Sequence, residues 1–346
     1  MKKTSDLLQT LSRYFDVYLP ITKGLSINTI RSYQYAFQLL FEYIYSQKNL
    51  SPERVYFHDL EGETIEQFLA WLETKRNFSI STRNQRLAAI SSFSKYALNK
   101  NFSSALTFNT TVSNIPQKKK SKKYPSYFKL EEVSILLRMP DTITDIEKRD
   151  RVLLSVLYAS GARGQELCDL TVNDIRFDSK ASLRLVGKGN KARTITIPDN
   201  CAKLLKKHLK RNKLDTEMQR SHHVFSSQTH EHMTISCVES IVKKYVLKAR
   251  LEWPYLFLER HYSPHSFRHS IAVHMLESGI PLPVIKNFLG HSSIETTMIY
   301  ATVSEDLVNK YLRNRTFLNE TVVNDEGIDS SIKLTLPFLE KILKMK

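Results

Sequence analysis

Apolar side chains recur at helical spacing through the first hundred residues of the chain. Because positions three and four residues apart share one face of a helix, such stripes indicate amphipathic helices. They predict a first helix over residues 7–18, a second over Thr29–Gln47, a third that begins at Thr64, and a fourth over residues 82–98 that Ser81 caps. Four short helices in this length predict a small helical bundle.

The pattern changes to a mixture of helices and strands from Lys129 onward. Residues 182–186 and 192–197 alternate between apolar and polar side chains, as strands do. Residues 187–191 between them read GKGNK, and its glycines and asparagine are turn residues. We therefore predict a β-hairpin with Lys188 at its tip. Helices are predicted over Leu130–Arg138, Ile146–Ala159, Arg163–Leu170 and Asn200–Asn212.

The stretch HSFRHSIAVHMLESGIPLPVIKNFLGHSSIETTMIY predicts three consecutive short helices. The first spans about residues 264–278 and ends at Gly279, because glycine commonly terminates helices. The second begins at Pro281 and closes at Gly290, since proline favours the start of a helix. The third, Thr296–Tyr300, can return to the first.

Composition sets the class of the protein. A chain of 346 residues with 41% hydrophobic residues predicts two domains with proper cores. It has no run of 18 apolar residues, so no transmembrane helix is predicted, and its first residues do not resemble a secretory signal. Three cysteines without CxxC spacing predict reduced structural thiols in a cytoplasmic protein.

The net charge of +16 points to a polyanionic partner, most simply nucleic acid, although a merely soluble basic protein stays an alternative. Residues 111–128 contain two prolines and no acid, which predicts an extended, exposed linker. Its lysines can neutralise phosphates, while a nuclear-localisation signal is the competing interpretation. The lysines are Lys118, Lys119, Lys120, Lys122 and Lys123.

Two other groups of cations extend the predicted DNA-binding set. Arg83, Arg86 and Lys95 are expected on the exposed face of the fourth helix, where they could lie in a DNA groove or simply be solvated. Lys191 and Arg193 follow the hairpin turn, where ordinary exposed side chains are the alternative. Charge alone favours the solvated interpretation in both places.

The candidate chemistry lies near the end of the chain. His265 and Arg268, three residues apart, share a helix face, and His291 precedes Tyr300 by nine residues. Arginine suits a phosphate through paired hydrogen bonds, and histidine transfers protons near neutral pH. A tyrosine hydroxyl becomes a nucleophile when positive neighbours offset its pKa of about 10.

Two further pairs of residues carry alternatives. Arg163 and Glu166 stand three apart, so the carboxylate could hold a neighbouring cation or imidazole, or form a plain surface ion pair. His265 and His269 stand four apart, a spacing that zinc ligands use on a helix. A metallopeptidase would require Glu after the first histidine, where this chain has Ser266.

Taken together, these motifs resemble those of tyrosine recombinases of the phage-integrase superfamily. Three motifs match in order: GARGQEL, GKGNKAR, and HSFRH followed by LGH and a tyrosine. The resemblance covers about residues 5–315. One departure is Gly164–Gln165, where the family more often has an aliphatic residue after the arginine, but the arginine and glutamate themselves are in place.

The resemblance implies roles for four residues at the phosphate. Tyr300 would attack the scissile phosphate and form a 3′-phosphotyrosyl bond that leaves a free 5′-hydroxyl. Arg163 and Arg268 would bind the non-bridging oxygens, whose charge grows in the transition state. Lys188 would protonate the departing 5′ oxygen.

The remaining implied roles concern support of this chemistry. His265 would act as a general base or hydrogen-bond partner toward Tyr300, and His291 would donate to the phosphate. Glu166 would maintain the geometry of the arginine and histidine side chains. No metal, ATP or other cofactor is implied. Cationic side chains would take the place of metal ions at the phosphate, and the phosphotyrosyl link would conserve the energy of the broken phosphodiester bond.

The implied fold is mainly α, with two domains. A four-helix SAM-like core-binding domain over residues 1–112 would clamp DNA, a basic linker over 113–127 would follow, and an α+β catalytic domain with a small β-hairpin sheet would span 128–316. The tail, 317–346, is expected to dock on the next protomer, and a helix packed on its own domain is the alternative. Its apolar residues are Ile332, Leu336, Leu339, Ile342 and Leu343.

The implied partner is double-stranded DNA with inverted half-sites, to which the protein would bind as a tetramer. The implied location is the cytoplasm, at the nucleoid, and no membrane partner is expected. Other recombinases of the same element could join the assembly. The expected role is integration, excision or transposition of a mobile element. A chromosome-dimer-resolving recombinase is one alternative. A non-catalytic DNA-binding protein of the same fold is another.

Overall fold

The computed structural model describes residues 5–120, 125–141, 143–187, 189–227 and 230–301. The chain divides into two compact units, residues 1–123 and residues 124–346. In the described part of the chain, no helix combines the length and apolar character needed to cross a membrane.

The first unit is a helical bundle. A π-helical segment, Tyr14–Thr22, continues the first helix, and short 3₁₀ turns lie at Pro52–Arg54 and Phe57–Leu60. Its core is built on the fully buried rings of Phe68, Phe93 and other aromatic residues. The α-helices are α1 (Asp6–Arg13), α2 (Ile27–Lys48), α3 (Thr64–Thr74), α4 (Ile80–Lys100) and α5 (Phe102–Asn114).

Helix α5 was not predicted, and α4 begins earlier than expected. The α5 sequence is rich in Thr and Asn, which have low helix propensity, so burial of Ala105, Phe108 and Val112 holds it in place. Helix α4 is capped by Ser79, whose hydroxyl accepts a hydrogen bond from the Thr82 amide at 3.2 Å, rather than by Ser81. Residues 113 and 114 of the predicted linker are therefore helical.

The second unit places eight α-helices around a small antiparallel sheet in its described part. The helices are α6 (Leu130–Arg138), α7 (Asp145–Ser160), α8 (Gly164–Cys168), α9 (Asp199–Arg211), α10 (Ile235–Glu252), α11 (Pro264–Glu277), α12 (Leu282–Leu289) and α13 (Glu295–Ala301). The strands are β1 (Ile175–Phe177), β2 (Ala181–Val186) and β3 (Ala192–Thr196), with 3₁₀ turns at Val172–Asp174 and Glu217–Gln219.

The sheet has the order β1-β2-β3, and the predicted hairpin is its β2–β3 pair. Leu183 pairs with Ile195 across that hairpin and with Ile175 on the other side. Leu183 and Ile195 are buried, so this face of the sheet packs on the core. Strand β1 and helix α10 were not predicted.

Helices α11, α12 and α13 enclose a second, smaller apolar cluster in this unit. Helix α11 is buried on most of its surface, because Phe267, Ala272 and Val273 all face neighbouring helices. Tyr300 of α13 belongs to the cluster and is 1% exposed. The third predicted segment therefore returns to the first, as expected.

Candidate active site

The site begins where α7 ends. Gly161 has a φ of 56°, a left-handed conformation that favours glycine. A β-carbon at this position would lie 3.0 Å from the Phe288 ring and 3.1 Å from Leu289, so α12 can approach closely only because the side chain is absent. Two residues later, Arg163 caps the start of α8, and its amide donates to Glu166 Oε2 at 2.9 Å.

Glu166 is a buried carboxylate that binds two arginines. Arg163 Nη1 donates to Oε1 at 2.6 Å, while Arg193 donates Nη1 to Oε1 at 3.0 Å and Nη2 to Oε2 at 2.8 Å. Burial alone would raise the pKa of Glu166, but the hydrogen bonds and charges of Arg193 and Arg163 hold it below its usual value. The carboxylate is 4% exposed, so the alternative of a surface ion pair is wrong.

Arg193 differs from its prediction as an exposed DNA-binding residue. Its side chain is 12% exposed, and its Nε donates to the Phe288 carbonyl oxygen at 3.1 Å. Its Cδ lies 2.9 Å from the position that a β-carbon on Gly290 would occupy. The reason for the difference is that Glu166 and the end of α12 together bind the whole guanidinium. Arg193 therefore fastens β3 to α8 and α12.

Lys191 is exposed, as expected of a side chain beside the turn. The predicted general acid, Lys188, lies outside the described residues. Next to it in sequence, the Gly187 amide donates to the Lys191 carbonyl oxygen at 2.9 Å. Gly189 and Asn190 have φ values of 76° and 58°, which match the predicted turn chemistry.

Arg268 is buried at the junction of three helices. It is 2% exposed, and its guanidinium donates to the carbonyl oxygens of Gly161 at 2.7 Å and Leu289 at 2.5 Å. Burial, followed by the positive charges of Arg163 and Arg193, lowers its pKa to about 10, so it stays charged at neutral pH. A guanidinium has five N–H groups, and these two bonds leave others for a ligand.

Tyr300 lies against α11, where its hydroxyl is 2.9 Å from His269 Nδ1. Burial raises the pKa of the phenol, while the positive charges of Arg268 and Arg163 act in the opposite direction. The two arginines are therefore near enough to influence the phenol electrostatically. This corrects the expectation that the hydrogen-bond partner of Tyr300 would be His265.

His265 lies one helical turn before His269 and is exposed, with 6.2 Å between the two ring centroids. Although the ring reaches solvent, partial desolvation by the surrounding protein, followed by the positive charges of Arg268 and Arg163, lowers the pKa of His265. His269 escaped assignment because its spacing from His265 had been considered only as a zinc-ligand pair. That same spacing places both rings on one helix face, and only the returning α13 decides which of them contacts Tyr300.

His291 lies between α12 and α13. Its Nδ1 is 2.9 Å from Thr297 Oγ1, and its ring centroid is 6.4 Å from that of Tyr300. Burial and the charges of Arg268, Arg163 and Arg193 lower its pKa to about 4. Among the residues that the structure describes, no group of three or more His, Cys, Asp or Glu side chains is arranged to hold a metal ion.

The comparisons with known proteins agree with this arrangement. Residues 126–306 match the model of the phage integrase family, and residues 12–101 match that of the phage integrase N-terminal SAM-like domain. The chain belongs to the phage integrase family. The confirmed fold is therefore a SAM-like helical domain followed by a catalytic domain with a small sheet.

Relatives of this integrase-family chain define its enzyme class. A protein described as an integrase/recombinase, y4rC of Sinorhizobium fredii, is 30% identical over 302 residues, covering 87% of this chain and 89% of y4rC. The tyrosine recombinase XerD of Staphylococcus epidermidis is 29% identical over 304 residues, covering 88% of this chain and 97% of XerD. The chain is thus a tyrosine site-specific recombinase.

A solved structure extends the likeness to the fold. The XerH site-specific recombinase, bound to a palindromic difH substrate in a post-cleavage complex, has a TM-score of 0.65 and 20% identity, with coverage of 84% of this chain and 81% of XerH. The two proteins therefore share their fold over most of this chain.

In the helical domain, two arginines that were predicted to be exposed DNA-binding residues are buried. Arg83 and Arg86 are 6% and 8% exposed, whereas Lys95 is exposed as predicted. Arg83 donates to the Pro116 carbonyl oxygen at 3.0 Å, and Arg86 donates to the Ser32 carbonyl oxygen at 3.0 Å. These two arginines face α2 and the linker instead of solvent, because backbone carbonyls there accept their hydrogen bonds.

The linker is also more closely bound than expected at its start. Lys118 pairs with Glu73 at 2.8 Å, and its backbone exchanges hydrogen bonds with the Asn84 side chain. Lys119 and Lys120 are exposed, as predicted. Lys122 and Lys123 lie outside the described residues, as does the tail beyond residue 301.

Proposed function

We propose that this recombinase cuts and rejoins double-stranded DNA with Tyr300 as its nucleophile. The observation that supports the proposal is the position of the Tyr300 hydroxyl: it lies against α11 at His269, and the charges of the buried Arg268 and of Arg163 act on it. Attack on a phosphodiester would join the phenolic oxygen to phosphorus as a 3′-phosphotyrosine. The 5′ oxygen would leave with the electron pair of the broken bond.

In this proposal the two arginines bind the phosphate. Arg268 is fixed by two backbone carbonyls and Arg163 by Glu166, so both guanidinium groups are positioned before substrate arrives. Their positive charges would stabilise the negative charge that develops on the non-bridging oxygens in the transition state. His291 would donate a further hydrogen bond to the phosphate, and His265 would contact the DNA from the exposed end of α11.

Lys188 is proposed as the acid that protonates the 5′ oxygen, on the strength of its place in GKGNKAR. A 5′-bridging phosphorothiolate has a sulfur leaving group that needs little protonation. Lys188→Ala should therefore recover cleavage on that substrate, whereas Arg163→Ala should not. Equal defects on both substrates would reassign Lys188 to phosphate binding.

The proposed substrate is a pair of inverted half-sites, and the proposed active assembly is a tetramer in the cytoplasm, at the nucleoid. The palindromic substrate of XerH supports the first point. Exchange of strands between two duplexes, each cut on both strands, requires four nucleophiles. The tail would dock on the next protomer, and other recombinases of the same element could take part.

Deletion of residues 332–346 tests this assembly. It should leave binding to one half-site nearly intact, weaken cooperative binding to paired half-sites, and impair complete recombination more than single-strand cleavage. Loss of binding to one half-site would instead mean that the tail packs on its own domain.

We assign the biological role to a mobile element, through integration, excision or transposition, with y4rC as the supporting relative. The likeness to XerD supports resolution of chromosome dimers as the alternative. Excision of a marked element in cells, compared with resolution of a plasmid carrying two chromosomal sites, would separate these roles.

The nucleophile is tested with a nicked suicide DNA substrate, which traps the covalent adduct. The wild-type protein should give a protein–DNA adduct on a denaturing gel, and Tyr300→Phe should bind the same DNA but give none. An adduct with Tyr300→Phe would overturn the assignment. Absence of adduct and of recombination in the wild type would favour a DNA-binding protein without catalysis.

A further inference from the structure

The imidazole that contacts the nucleophile is that of His269. Its Nδ1 lies 2.9 Å from the Tyr300 hydroxyl oxygen, and the two ring centroids are 5.6 Å apart. Tyr300 is 1% exposed in the apolar cluster that α11, α12 and α13 enclose, and His269 is half-buried on α11. The phenol is therefore enclosed by the domain where it meets the imidazole.

We propose that His269 is the general base of the cleavage step and accepts the phenolic proton of Tyr300 at Nδ1. This inference rests on the proposed role of Tyr300 as the nucleophile. The Oη–H bond breaks and the Nδ1 lone pair takes the proton. The phenolate oxygen bonds to phosphorus as the P–O5′ bond breaks, and the 5′ oxygen receives a proton from Lys188. Rejoining reverses each transfer, so His269 returns the proton to Tyr300.

Geometry distinguishes His269 from His265. A general base must lie within hydrogen-bond distance of the proton that it removes. In the described part of the chain, the imidazole at that distance from the Tyr300 hydroxyl is His269, whereas His265 lies one turn further toward the exposed end of α11. That position suits His265 for contact with DNA and His269 for contact with the nucleophile.

The surroundings of His269 keep it neutral while no substrate is bound. Burial, followed by His265, Arg268 and His291, lowers its pKa to about 4. A neutral imidazole has one nitrogen that donates and one that accepts. With the proton on Nε2, Nδ1 accepts the hydrogen bond from Tyr300 and has the lone pair that a base requires.

The same surroundings make the base dependent on substrate. Protonated His269 would stand close to the cationic Arg268, so proton transfer is unfavourable in the free enzyme. A bound phosphodiester brings negative charge to the arginine, which offsets that repulsion and raises the affinity of His269 for a proton. The nucleophile would thus be activated when the scissile phosphate occupies the site and not before.

The first test separates proton transfer from hydrogen bonding. His269→Asn places an amide oxygen near the Nδ1 position, where it can accept the hydrogen bond but cannot take the proton. His265→Asn is the matched control on the same helix face. Adduct formation on the suicide substrate is measured under single-turnover conditions, and DNA affinity is measured in parallel. We expect His269→Asn to cleave about 10²-fold more slowly or worse, with DNA affinity unchanged.

A second substitution, at Tyr300, tests whether the rate lost in His269→Asn reflects loss of a base. Difluorotyrosine at position 300 has a more acidic phenol, so it needs less help from a base. It should recover most of the rate lost in His269→Asn, and none of the rate lost in His265→Asn or Arg163→Ala. If His269→Asn cleaves as fast as wild type, or if difluorotyrosine gives it no recovery, the proposal is overturned.

A third measurement requires no substitution at His269. In ¹⁵N-histidine-labelled protein without DNA, Nδ1 of His269 should be the unprotonated nitrogen and Nε2 the protonated one. A proton on Nδ1 would mean that His269 donates to the phenol, and it would exclude the proposed role. An adduct formed by Tyr300→Phe would show instead that the proposed nucleophile is wrong, so the two failures are distinguishable.

Discussion

Both domains of this recombinase bury arginines, but the buried groups do different work. In the helical domain, Arg83 and Arg86 donate to backbone carbonyls of the linker and α2, and Arg86 lies over the Tyr35 ring at 4.9 Å. In the catalytic domain, Arg268 donates to backbone carbonyls and Arg163 to Glu166, but the positive charges of both also act on the phenol of Tyr300. Burial of an arginine therefore does not itself indicate a catalytic or a structural role.

The distinguishing feature is what else lies within reach. Near Arg268 are a second arginine held by a carboxylate, two imidazoles and a phenol. Near Arg83 and Arg86 are hydroxyls, amides, an exposed tyrosine and the Glu73 carboxylate, whose Oε1 lies 3.7 Å from Arg83 Nε in an ion pair. The first set contains imidazoles that can transfer protons and paired arginines that can bind phosphate, whereas the contacts of the second set hold chain segments together.

The largest effect should follow loss of Arg268. Arg268→Ala removes the donors to two buried carbonyls, at a cost of about 1–3 kcal/mol each, and removes charge from the phosphate site. Adduct formation should fall about 10²–10³-fold. Thermal unfolding and suicide-substrate cleavage measure the two effects. If the variant loses stability but cleaves at the wild-type rate per folded molecule, Arg268 has a purely structural role, as is proposed for Arg86.

Glu166→Gln should have an intermediate effect. An amide cannot balance the charges of Arg163 and Arg193, so we expect cleavage to slow by about 10-fold, consistent with loss of a hydrogen bond to a charged group. Glu217→Gln is the matched control, because Glu217 forms an exposed ion pair with Arg220 that involves no residue of the proposed site. Unchanged cleavage by Glu166→Gln would show that the carboxylate does not position Arg163.

The same carboxylate predicts a pH dependence. Its pKa in the folded protein lies below its usual value, so the unfolded chain binds the proton more readily. The stability that Glu166 contributes is present above the unfolded pKa and is lost as the pH falls through the folded value. Melting curves from pH 7 downward should show a smaller acid-induced loss for Glu166→Gln than for wild type.

Arg86→Ala tests the structural side of the comparison. It should lower the free energy of unfolding by about 1–3 kcal/mol, because buried hydrogen bonds to Ser32 are lost. Cleavage at saturating DNA should be unchanged per folded molecule. A fall of about 0.9 in the log–log salt slope of DNA binding would instead mean that Arg86 contacts a phosphate.

The smallest effect concerns the linker. Neutralising Lys119 and Lys120 should lower the salt slope by up to about 1.8 if both contact phosphates, at about 0.9 each. Lys118→Gln should lower it less, because Lys118 is paired with Glu73 in the free protein. Equal effects of all three substitutions would show that this ion pair breaks when DNA binds.

Local patterns predicted the parts of the structure that local forces determine. The hairpin follows from alternation and its turn residues, and the end of α7 follows from Gly161. The return of Tyr300 to α11 followed from short helices separated by Gly and Pro. Helices α5 and α10 were missed because their Thr, Asn and β-branched residues have low helix propensity and depend on burial.

Other features required the tertiary structure. The burial of Arg83 and Arg86 depends on the linker and α2 returning to α4, which no helical stripe reveals. The binding of Arg193 to Glu166 depends on the contact between sheet and helices. The choice between His265 and His269 depends on where α13 crosses α11, since the two histidines are equivalent in the helical pattern.

The two carbonyls that bind Arg268 belong to Gly161 and Leu289, at the carboxyl-terminal ends of α7 and α12. The negative ends of two helix dipoles are therefore directed at one guanidinium, an arrangement that favours a cation. A long side chain of this kind ordinarily loses about 2 kcal/mol of rotamer entropy when it is ordered. Here folding has already ordered it, so capture of a phosphate at this position requires no further entropic loss from the arginine.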